Sequence, residues 1–129
     1  MLFRSQVLVT LGNLEEAEAF SRQAEELTDD DDVSSQVFWR TARARIYGRT
    51  ARTTEAEVLA REAVQLARGT VDIALLAGAL ADLAEVLTTI GRADESGPPL
   101  REALALYEKK EDVTSARRVR GLLGEPASV

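Results

Sequence analysis

The sequence predicts an all-α fold, an array of about three antiparallel helical hairpins followed by a C-terminal capping helix. Three observations lead there. Ala, Leu, Glu and Arg dominate a 129-residue chain with only 5% aromatics, a composition that favours helix over sheet. Apolar residues recur every three or four positions, as on one face of a helix, and do not alternate as in a strand. Three segments also align on their small residues with a spacing near 40.

The aligned segments are LGNLEEAEAFSRQAEEL from Leu11, ARTTEAEVLAREAVQLA from Ala51 and IGRADESGPPLREALAL from Ile90. Ala17, Ala56 and Ser96 correspond, as do Ala24, Ala63 and Ala103, with spacings of 39 and 40. Each segment follows another apolar helical stretch. In the first repeat that stretch holds Val7, Leu8 and Leu11, and in the second Phe38, Ala42, Ile46 and Tyr47. In the third, Ile73, Leu76, Leu80, Leu83, Leu87 and Ile90 make the stripe of a helix packed on both neighbours. Each repeat therefore reads as a hairpin, at about 1–28, 33–68 and 71–110 of a single domain spanning 1–129. Two antiparallel helices approach closely where crossing side chains are small, which assigns Ala17, Ala24, Ala56, Ala63, Ala84 and Ala103 to those crossings.

Boundary signals support the division. Gly12-Asn13 and Gly91 end the first helices of repeats one and three, where a left-handed C-terminal cap is needed. The Asp29–Asp32 run precedes a helix, where acids cap free amides and meet the positive end of the dipole. Gly69-Thr70 separates repeats two and three. Ser96 caps a fresh helix with Pro98 and Pro99 in its first turn, where a missing N–H costs little. A seventh helix, about 113–123, packs through Val113, Ala116, Val119 and Leu123 and turns Arg117, Arg118 and Arg120 mostly outward.

Composition excludes much chemistry. Cysteine and histidine are both absent, which removes disulfides, thiolate nucleophiles, imidazole bases and the usual zinc and haem ligand sets. No cofactor and no metal is expected. The absence of cysteine fits a cytoplasmic protein, and no stretch approaches the roughly 20 apolar residues of a membrane span. Residues 1–11 bear a faint likeness to a signal segment, but Arg4, Ser5, Gln6 and Thr10 interrupt it, and it reads as helix. Net charge is −6, unevenly spread: residues 13–32 carry −8 and residues 33–68 carry +4. An acidic whole is a poor match to nucleic-acid phosphates.

Leu80, Leu83-Ala84, Leu87, Gly91, Ser96, Leu100 and Ala103 keep a large-small spacing that resembles the tetratricopeptide repeat, and the resemblance extends along the chain. The 40-residue spacing exceeds the usual 34 of that family. It is similar to the longer-repeat subtype at the C-terminal ends of bacterial signalling ATPases, nucleotidyl cyclases and transcriptional activators. Ala51 stands where that motif has Gly, and Gly97-Pro98-Pro99 interrupts a usually continuous helix. The resemblance implies an α-solenoid, a right-handed superhelix, that binds a protein or peptide in a concave groove lined by the first helix of each hairpin. It implies a bacterial regulatory setting and no catalysis. An enzyme restricted to carboxylates, Ser and Lys would need a deep polar pocket with strongly shifted acids.

The leading candidate surface lies in the cluster Arg40, Arg43, Arg45, Arg49 and Arg52. Arg45 and Arg49 share a helix face with Thr41 and would suit an acidic peptide, a terminal carboxylate or a phosphate. Gln6, Glu85 and Thr88 complete the candidate partner-binding set. The competing reading pairs these arginines with neighbouring acids, as exposed ions worth at most ~1 kcal/mol each. The four aspartates lack the alternation, central Gly and distal Glu of a calcium loop, and Glu15-Glu16 and Glu25-Glu26 diverge on a helix surface. Phe38, Trp39 and Tyr47 are expected to pack between repeats one and two, with a partner-binding anchor as the lesser reading. Met1, Leu2 and Phe3 start without a cap and form a candidate self-association edge, so the alternative function is a homodimerisation module with no foreign ligand.

Overall fold

Residues 2–27, 29 and 32–124 are described by a computed structural model, with side chains from residue 14 onward. They form α1 (Leu2–Leu27), α2 (Val33–Arg49), α3 (Thr53–Arg68), α4 (Ile73–Thr89), a single 3-10 turn (Ala93–Glu95), α5 (Gly97–Lys109) and α6 (Val113–Leu122). No strand occurs among the described residues. Each helix packs on its chain neighbours and α2 also touches α4, so the fold is a helical-repeat solenoid with α4 at its centre.

A 40-residue period in the caps sets this architecture. Asp32, Asp72 and Asp112 stand one residue before α2, α4 and α6, and each carboxylate accepts the amide of the third residue on, Ser35, Leu75 and Ser115, at 3.0–3.1 Å. The exits are also matched. Ala51, Gly91 and Glu111 adopt left-handed φ values of 63°, 86° and 59°. The next amide in each case donates five residues back: Arg52 to Tyr47 O at 3.0 Å, Arg92 to Leu87 O at 2.8 Å and Asp112 to Tyr107 O at 2.9 Å. The turn that the Ala51 position requires therefore forms without its glycine. Pro98 and Pro99 sit in the first turn of α5, while Ser96 uses its hydroxyl on Ala93 O instead of capping that helix.

The core is built from the expected small residues in the second and third hairpins. Ala56, Ala63, Ala84 and Ala103 are buried between Leu80, Leu83, Leu87, Leu100 and Tyr107. Ala116 and Val119 bury α6, but Val113 is exposed, so three of its four expected contacts remain with Leu123 half-buried.

The first repeat departs from expectation. Gly12-Asn13 does not end a helix: α1 runs unbroken through it for 26 residues, so the described chain has six α-helices and not seven. A single glycine costs a helix only ~1 kcal/mol, too little to break one flanked by good helix formers. Its second half, from Leu14, takes the place that α3 and α5 hold in later repeats. Ala17 and Ala24 lie exposed there, whereas Ala56 is buried and Ser96 half-buried at the matching places. Phe38 is likewise 66% exposed, whereas Trp39 and Tyr47 are buried.

Candidate functional site

Helices α2, α4 and α6 occupy equivalent places in the repeat and line one side of the solenoid. Between them, with the start of α5 below, lies a cleft of about 550 Å³. Arg45 reaches it from α2; Asp82, Glu85, Thr88 and Thr89 from α4; Leu100 from α5, with Ser96 just before it; Arg118 and Leu122 from α6. Ala81, Ala84 and Leu100 give it an apolar floor, because the 40-residue register places small residues where the helices converge.

Its electrostatics are balanced. Arg45 forms a close ion pair with Asp82 and a second at 3.0 Å with Glu85. Partial burial pushes the Asp82 carboxyl above the ordinary carboxylate range, opposed by the Arg45 charge. Thr88 and Thr89 donate to Ala84 O and Glu85 O, both at 2.9 Å, so their hydroxyls face a ligand as acceptors.

The structure brings Arg45, Glu85 and Thr88 of the candidate set together in this cleft. Arg49 lies further along α2, in a second groove shared with α1 that Arg45 and Glu85 also line. Thr41 is buried, 7% exposed, with its hydroxyl donating to Phe38 O at 3.0 Å, so the face it was expected to share with Arg45 and Arg49 is closed at that end. Gln6 belongs to the backbone of α1, and its side chain lies outside the described residues, as do Met1 and the side chains of Leu2 and Phe3.

Most of the arginine cluster is engaged within the chain. Arg40 pairs with Glu62 at 3.2 Å, Arg43 with Glu25 at 2.8 Å and Arg52 with Glu18 at 3.5 Å. Arg40 and Arg43 also stack on Trp39, at 4.3 and 4.7 Å from the ring centre. One of these ties recurs from repeat to repeat. Arg52 meets Glu18 on the preceding second helix, and Arg92, 40 residues on, meets the matching Glu57. The sequence showed both Arg–Glu pairs at repeat spacing; only the left-handed turn that aims each arginine backward makes them contacts.

Among the described residues no group of acids is placed to hold a metal ion, and no helix is long and apolar enough to cross a membrane.

Residues 1–31 match the tetratricopeptide-repeat family. The matched segment is about a quarter of the chain and coincides with the first of the aligned repeats, so family signal and internal register meet at α1. No curated protein and no solved structure matches the chain. Tetratricopeptide repeats generally mediate protein–protein interaction and are not catalytic.

Proposed function

We propose that the chain is a partner-holding module whose cleft between α2, α4 and α6 takes a segment of another protein. The observation that carries this is the cleft itself: an apolar floor of Ala81, Ala84 and Leu100 rimmed by Arg45, Asp82, Glu85 and Arg118. Such a surface offers one apolar anchor site with charges of both signs around it. An acidic peptide is a fitting ligand only where it reaches Arg49 and Arg118, since Arg45 is already neutralised by Asp82 and Glu85. The favoured segment therefore has an apolar side chain flanked by an acid and a base.

A bacterial regulatory protein of the long-repeat kind is the setting we infer, supported by the 40-residue period that recurs in the caps and in the Arg–Glu ties. The cysteine-free composition supports action in the cytoplasm. The test is fluorescence anisotropy with a panel of short peptides holding a central Leu or Phe flanked by Glu, by Lys or by one of each. Thr88→Arg, which fills the cleft, is expected to weaken the best binder at least tenfold. Arg45→Glu with Arg49→Glu is expected to abolish any preference for acidic flanks. Unchanged binding in both variants would remove the cleft from the site.

A further inference from the structure

A second groove, about 710 Å³, runs between α1 and α2 and is lined by Leu14, Ala17, Phe20, Phe38, Ile46 and Arg49. It is strongly apolar, with Phe20 69% and Phe38 66% exposed along it. The repeat register says what belongs there. Ala17 corresponds to Ala56 in the second repeat, and Ala56 is fully buried under its own hairpin. The helix missing over Ala17 is the one that corresponds to α2 and α4, and by the same register it is residues 2–11. Val7 aligns with Ile46 and Val86, and Leu8 with Tyr47 and Leu87, and the four later residues are all buried. Yet α1 is continuous through Gly12-Asn13, so roughly 15 Å of helix carries residues 2–11 on where the later repeats turn back.

We infer that the chain forms a two-fold dimer in which residues 2–11 of each copy lie antiparallel along the second half of α1 in the other copy and fill its α1–α2 groove. The geometry is self-complementary. Within the later repeats, helix pairs are centred on the left-handed residue, Ala51 or Gly91, and the matching centre in the first repeat is Gly12. An antiparallel pair of continuous α1 helices has the same centre, with Gly12 on the two-fold axis where a missing side chain permits close approach. Charge selects the direction. Residues 2–12 carry +1 and residues 13–27 carry −4, so antiparallel pairing sets opposite charges side by side and parallel pairing sets like against like. Arg45 and Glu85 border both grooves, so this dimer covers the α2 rim of the first cleft and leaves its lining from α5 and α6 free.

Light scattering tests the mass, and engineered thiols test the arrangement, in a chain with no cysteine of its own. The expected mass is twice 14.0 kDa. Val7→Cys with Ala17→Cys, the pair equidistant from Gly12, is expected to give a covalent dimer on mild oxidation. Leu8→Asp is expected to weaken the dimer at least tenfold while circular dichroism still shows cooperative melting of the remaining helices. A monomer at hundreds of micromolar, a disulfide joining the two introduced thiols within one chain at monomer mass, or a dimer indifferent to Leu8→Asp would each overturn the inference.

Discussion

Single residues set where the helices begin and end, and substitutions at two positions measure this. Ala51 holds a left-handed backbone with φ of 63°, which a side chain disfavours and glycine does not. Ala51→Gly is expected to raise stability by about 1 kcal/mol, seen as a rise of roughly 3–5 °C in the melting midpoint. At the start of α4, Asp72 accepts the Leu75 amide at 3.0 Å. Asp72→Ala is expected to cost about 1 kcal/mol in a urea titration, with Asp72→Asn recovering most of it. The 40-residue recurrence of Asp32, Asp72 and Asp112 stands openly in the sequence. Alignment on small residues passes over it because the caps lie between the aligned segments.

At the scale of helices, Arg43 is one of the ties that join α1 to α2, beside the contacts of Arg52 and Tyr47 with Glu18. The Arg43 side chain is buried, pairs with Glu25 at 2.8 Å, donates to Ser21 Oγ at 3.3 Å and stacks on Trp39. One of its terminal nitrogens, Nη2, is buried without a hydrogen bond to the described residues. Arg43→Ala is expected to loosen α1 from α2 at a cost of roughly 1–3 kcal/mol. Because Trp39 is the only tryptophan, its emission should shift to the red before the global transition. Helices α2 to α6 were legible because apolar stripes mark each of them and turn residues separate them, although Ser96 does not cap α5 as expected. The path of α1 was not, since Gly12-Asn13 is compatible both with a turn and with a tolerated glycine inside a helix. Phe38 was misassigned for the same reason: its burial depends on a helix that the single chain does not place over it.

Across the whole molecule, ion pairs link successive repeats and make stability sensitive to acid. Arginine partners hold the carboxyls of Glu18, Glu57, Glu95 and Glu102 below their ordinary values, and helix-start hydrogen bonds from Ser35 and Ser115 do the same for Asp32 and Asp112. The folded chain therefore releases these protons more readily than the unfolded one. Their contribution is complete above the ordinary carboxylate range, near pH 4 to 4.5, and is lost as pH falls through the depressed values. Asp82 acts in the opposite sense, since its raised value lets protonation favour the folded state. The melting midpoint is expected to stay flat from pH 7 to about 5 and to fall below about 4, with Asp82→Asn steepening the fall. The candidate site was legible in part. Arg45, Glu85 and Thr88 share a cleft because repeat spacing aligns α2 with α4, but the neutralisation of Arg45 depends on Asp82, 37 residues away, which single-helix periodicity does not reveal.

That the cleft holds a partner is tested most directly by a chemical-shift map of the ¹⁵N-labelled chain titrated with the tightest peptide of the panel. The expected result is a continuous set of shifted amides through Arg45, Glu85, Thr88, Thr89, Arg118 and Leu122. Shifts confined to the outer faces of α3 and α5, with those six unmoved at saturation, would contradict it.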